Sequence, residues 1–134
     1  KGTSMPHFIV EYSANLENDI DFDQLFEKVH ETLGKSGVFP LGGIRSRAIR
    51  MDHYRVADGK HDYGFVHMLL KVGSGRSLEV RRVEADKLFK VIEGFFEPIH
   101  AKRLLAITFE MQEIDPVLTY KKNNIHAFLA KNNA

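Results

Sequence analysis

A strand–helix–strand order is written twice along this chain, and no other feature narrows its fold as far. From Phe8 to Ser13 the residues alternate, with Phe8, Val10 and Tyr12 on one side and Ile9 and Glu11 on the other, the pattern of a strand. Asp21, with Gln24 three residues on, predicts a capped helix start. Phe22, Leu25, Phe26, Val29 and Leu33 then share one helical face, and Gly34 and Gly37 stop the helix. Pro40-Leu41-Gly42-Gly43 is a loop, and a second extended segment is predicted from Ile44 to Val56. The polar tract 57–62 carries Asp58-Gly59, which predicts a hairpin turn.

The second unit repeats the order. Phe65 to Val72 is an apolar run too short for a typical helix, and it predicts a strand covered on both faces. Gly73-Ser74-Gly75-Arg76 then turns into a long helix opening near Ser77. Val80, Val83, Leu88, Val91, Ile92, Phe95 and Ile99 give it an apolar stripe, and Pro98 is expected to kink or end it. Leu105, Ile107, Phe109 and Met111 alternate in a last strand, and a short helix is predicted around Ile125 to Lys131. Two such units predict an α+β fold, a four-stranded mixed sheet with both helices on one face. The halves run over about 6–58 and 62–113, with an extension over 114–134. A ferredoxin-like fold has the same order, so the order alone leaves both topologies open.

At 134 residues the chain suits one domain, and its ten Phe offer the bulk of a core. A formal charge of +1 gives no reason to expect nucleic acid or an anionic membrane as partner, so electropositive chemistry must be local. The chain has no cysteine, which excludes thiolate catalysis and cysteine-ligated metals. No apolar run approaches the roughly 20 residues that cross a bilayer. The start lacks the apolar stretch of a signal peptide, so a cytoplasmic location is expected.

Three features carry candidate chemistry. The first is Pro6 behind Met5. Lys1-Gly2-Thr3-Ser4 reads as added residues ahead of an initiator methionine, whose removal leaves Pro6 N-terminal. Such a proline has a free secondary amine able to accept and return a proton, whereas within a peptide it is an inert amide. To act as a base near neutrality the amine needs apolar walls or nearby cations to disfavour its charged form. A proline that merely opens a strand is the plain alternative. The second feature is Ile44-Arg45-Ser46-Arg47-Ala48-Ile49-Arg50, where Arg45 and Arg47 share a strand face and Arg50 takes the other. It is either a charged edge strand or a carboxylate clamp. The third is Gly75-Arg76-Ser77, a loop at a helix start that favours an anion or simply caps the helix at Ser77. The seven histidines show no zinc spacing, His7 adjoins Pro6 and can tune it, and Glu11 and Asp52 are carboxylates with no visible partner.

Together these residues resemble the tautomerase superfamily, and more closely its 5-carboxymethyl-2-hydroxymuconate isomerase members. Met5-Pro6-His7-Phe8-Ile9-Val10-Glu11-Tyr12-Ser13 is similar to the start of such an enzyme, and the resemblance runs from Pro6 to the C-terminus. Gly75-Arg76-Ser77 is similar to the Gly-Arg-Ser motif of 4-oxalocrotonate tautomerase, and Pro40-Leu41 with Ile44-Arg45 to its second arginine segment. The match is uneven. Ala14-Asn15-Leu16-Glu17 stands where a first Gly-Arg-Ser would fall, and Tyr63-Gly64-Phe65 where a second N-terminal proline would fall. The resemblance implies two fused units with at most one site per chain, Pro6 as proton acceptor and donor, and Arg45 and Arg76 as substrate-binding residues. It implies a multiply carboxylated 2-hydroxydienoate converted to its 2-oxo isomer in aromatic (homoprotocatechuate) catabolism, with no metal or organic cofactor. It also implies a homotrimer with a sheet-lined interior, in which residues 114–134 are expected to touch a neighbouring subunit. A ferredoxin-like RNA binder, with Phe65 and Phe109 as stacking residues, is the competing expectation, and a signalling protein on the same fold is another.

Overall fold

The computed structural model describes residues 5–132. The residues read above as additions ahead of Met5 lie outside that range. Strands β1 (His7–Ser13), β2 (Arg45–Met51), β3 (Tyr63–Val72) and β4 (Leu104–Glu113) form one sheet in the order β2-β1-β3-β4. β1 pairs parallel with β2, β3 pairs parallel with β4, and the central pair β1–β3 is antiparallel. A parallel pair needs a crossover, and the two helices supply them. Helix α1 (Phe22–Lys35) joins β1 to β2, α2 (Leu78–His100) joins β3 to β4, and α1 and α2 pack on each other.

Local chemistry explains where the helices begin. Asp21 accepts from the Gln24 N–H at 3.1 Å, and Ser77 accepts from the Val80 N–H at 3.1 Å. Gly37, at φ +77°, turns the chain away after α1, while Gly34 lies inside it. The α1 face Leu25, Val29 and Leu33 is fully buried. It meets Phe8 and Val10 of β1 and Val66, Met68, Leu70 and Val72 of β3 in one continuous core. Each such side chain contributes roughly 1.5–3 kcal/mol by leaving water.

Several expectations need correction. β2 ends at Met51, not Val56, because β1, its one neighbour among the described residues, ends opposite it at Ser13. The 57–62 tract does turn, with Ala57 and Gly59 at positive φ, but it joins no hairpin since β1 lies between β2 and β3. β3 is covered on one face alone in this chain. Val66, Met68, Leu70 and Val72 are buried, and Phe65, His67, Leu69 and Lys71 are only half-buried. α2 buries Glu84, Leu88, Ile92, Phe96 and Ile99, leaving Val80 and Val83 on the exposed side of the first turns. It also runs two residues past Pro98, which removes one N–H near the helix end where little of the ladder remains.

The open face of the sheet carries Ile9, Ile49, Phe65 and Leu69 among His7, Glu11, Arg47, His67 and Lys71. Register places Phe65 there and Phe109 on the opposite, helix-covered face, where the Phe109 ring stacks with Phe89 at 6.3 Å. The two aromatics therefore share no stacking platform, and the RNA-binding expectation loses its support. Helix α3 (Ile125–Asn132) is a third helix outside the two units, packed on the short 3₁₀ turn Leu41–Gly43 of its own chain.

Candidate active site

The β1 and β2 strands start side by side, and this brings two of the sequence features together. His7 faces Arg45 in register, and the Arg45 N–H donates to the Pro6 carbonyl at 3.1 Å. Arg45 and Arg47 project to one face, where their Nη1 atoms approach His7 Nε2 at 2.9 Å and Nδ1 at 3.1 Å. His7 is held below the usual histidine range, first by burial and then by the charges of Arg45, Arg47 and Lys71. Arg50 lies at the other end of β2, bonded to Asp52 at 2.9 Å, so it takes no part here.

Arg76 arrives from the second unit. β3 runs antiparallel to β1, so its C-terminal end and the loop after it return to the edge where β1 begins. Gly75 takes φ +107°, a conformation that strains any residue with a Cβ, and delivers Arg76 just ahead of the Ser77 cap. The Arg76 guanidinium donates to the Val38 carbonyl at 3.0 Å and lies 5.0 Å over the Phe39 ring.

These groups surround a cavity of about 760 Å³ lined by Met5, His7, Arg45 and residues 73–76 on one side. Pro6 is buried and stands in the chain between two of the lining residues, Met5 and His7. The opposite wall is Ile114, Asp115, Pro116 and Thr119 to Lys122. That wall had no signal in local sequence. It is set by contacts distant in the chain, since the Ile114 N–H bonds to the Val72 carbonyl at 2.7 Å and Asn123 Nδ2 bonds to the Gly42 carbonyl at 3.2 Å. Residues 114–132 of the extension thus pack on their own chain and supply one wall of the cavity. Among the described residues, no group of three or more His, Asp or Glu is placed to hold a metal ion. No helix among them is long and apolar enough to cross a membrane.

Paired β-α-β units, arginines from each unit at one end and a proline at the head of β1 define a member of the tautomerase superfamily. A family model of 5-carboxymethyl-2-hydroxymuconate isomerase matches residues 6–129, and the chain belongs to that family. It is 50% identical over 123 residues to the 5-carboxymethyl-2-hydroxymuconate Delta-isomerase of Escherichia coli, a match spanning 92% of this chain and 98% of that one. Its fold is similar to a crystal structure of a 5-carboxymethyl-2-hydroxymuconate isomerase from Deinococcus radiodurans R1, with TM-score 0.86, 40% identity and coverage of 94% and 95% of the two chains. A 5-carboxymethyl-2-hydroxymuconate delta-isomerase of known structure matches at TM-score 0.88 and 30% identity over 95% and 94%. The protein is an isomerase.

Proposed function

We propose that this chain, once it begins at Pro6, converts 5-carboxymethyl-2-hydroxymuconate-type 2-hydroxydienoates to their 2-oxo isomers. The observation that carries this is the meeting of the β1 start, Arg45 and Arg76 around one cavity. The names of its relatives supply the substrate class. The Pro6 amine takes the proton of the 2-hydroxyl group, and the O–H electrons become the carbonyl. The double bonds shift along the chain, and the protonated amine returns one proton to the far carbon. No electrons leave the substrate and none are added. For this role the free amine needs its charged form disfavoured, and Arg45, whose strand starts beside Pro6, adds a positive charge that acts in that direction. Arg45 and Arg76 bind carboxylates and stabilise charge on the dienolate oxygen. The proton relay contributes about 10²–10⁴-fold, and positioning with electrostatics supplies the rest.

The active form is a homotrimer of cytoplasmic enzyme working in aromatic (homoprotocatechuate) catabolism. The half-covered sheet face, with Ile9, Ile49, Phe65 and Leu69 facing outward, supports an assembly that buries it. Turnover in deuterated water tests the reaction. Loss of dienol absorbance faster than in buffer alone, with deuterium added to one face of the carbon, supports it, and a rate no faster than buffer, or deuterium on both faces alike, contradicts it.

A further inference from the structure

The substrate class just proposed carries three carboxylates, two on the muconate chain and one on the carboxymethyl branch. Arg45 and Arg76 account for two of them. The remaining charge has to be met by something else lining the cavity, or it stays in water.

The wall formed by residues 114–122 supplies candidates. Its two ends are pinned on either side of the site. Ile114 is tied to Val72, just before the Arg76 loop, and Asn123 is tied to Gly42, just before Arg45. Asn123 also caps α3, accepting from the Ile125 and His126 N–H groups, and His126 packs against Gly42 so closely that a Cβ there would lie 2.9 Å from its ring. A segment held at both points must cross the mouth between the two arginines, and it carries Tyr120, Lys121 and Lys122 into the lining. The one carboxylate on this wall, Asp115, has its Oδ1 occupied by the Val117 and Leu118 N–H groups at 2.8 and 2.9 Å. Arg47 and Lys71 lie near His7 but do not line the cavity.

We infer that Lys121 and Lys122 form a third anionic subsite that receives the carboxymethyl carboxylate and sets the preference for three-carboxylate over two-carboxylate substrates. This rests on the substrate class proposed above. Lysine suits the role, since a point charge on a flexible stem follows a branch whose orientation a rigid guanidinium fork would not tolerate.

Equilibrium binding separates this inference from the isomerase proposal, because it needs no turnover. Titrate the full chain from Pro6 onward with tricarballylate, which has three carboxylates, and with glutarate, which has two. The unsubstituted protein should prefer tricarballylate. The double variant Lys121→Met/Lys122→Met should lose about tenfold or more in tricarballylate affinity, the size of one charged contact, and little in glutarate affinity. The two single variants apportion the loss, and arginine at both positions should restore much of it. Lys71→Met, charge-matched and outside the cavity, should leave the preference intact. Equal losses on both ligands, no loss, no preference in the unsubstituted chain, or the same loss from Lys71→Met would each overturn the subsite. Failure to turn over 5-carboxymethyl-2-hydroxymuconate would instead count against the proposed reaction.

Discussion

His7 Nε2 lies 2.9 Å from Arg45 Nη1, across the first residues of two parallel strands. Arginine can only donate, so the imidazole must offer a lone pair. A neutral ring has one, yet Arg47 also approaches the other ring nitrogen at 3.1 Å. His7 can thus hold one arginine at a time, and a protonated ring could hold neither.

This makes the histidine a reporter on the site. Its pKa should fall below 6.5 in the folded chain, chiefly through burial and then through Arg45. Replacing Arg45 with alanine should bring it part of the way back, as read from imidazole proton shifts. The unfolded chain binds the proton more readily, so this group makes stability decline as pH drops through 6.5 and level off below the folded value. His30, also lowered by burial, adds to the same slope. A His7→Gln variant should show a shallower decline over that window, and an unchanged slope would remove His7 from the account.

Arg76, in the loop ahead of α2, and Arg50, at the far end of β2, should differ in kind. Arg76→Ala is expected to lower kcat/KM by about 10²-fold, the loss typical of a group that stabilises developing charge. Arg50→Ala, whose side chain is half-exposed and engaged with Asp52, should change it little. Steady-state kinetics on a 2-hydroxydienoate decides this, and a larger loss at Arg50 would mean the arginine roles are misassigned.

Gly64 tests the packing beneath the sheet. A Cβ there would lie 2.7 Å from Leu16 Cδ2, and Leu16 is fully buried. Gly64→Ala should cost about 1–3 kcal/mol, as overpacking does. A Leu16→Ala background should absorb much of that cost in a double-mutant cycle read by urea denaturation. Additive losses would mean the strain lies elsewhere.

Much of this molecule was legible in the sequence because its signals are local. Period-two alternation placed β1 and β4, the shortness of an apolar run placed β3, and a polar cap with a 3.6-residue stripe placed α1. Gly75-Arg76-Ser77 was readable because a glycine-dependent turn and a serine cap act within three residues. What stayed hidden depends on distant partners. The end of β2 is decided by the length of β1, and Asp58-Gly59 reads as a hairpin turn although the strand order denies it a hairpin. Glu84 sits in the buried stripe of α2, where Lys87 approaches it at 3.5 Å, and no apolar count would find it. The wall over the cavity is invisible for the same reason, being placed by Val72 and Gly42 from far along the chain.

The central claim concerns Pro6, whose nitrogen is an amide as long as Met5 precedes it. Met5 is itself 8% exposed and lines the cavity, so retaining it both removes the base and fills space the substrate needs. The direct test compares isomerisation by protein beginning at Pro6 with that of protein retaining Met5, after mass spectrometry has fixed each N-terminus. Activity confined to the form beginning at Pro6 is the predicted result. Equal activity in the two forms would contradict a proline amine as the base.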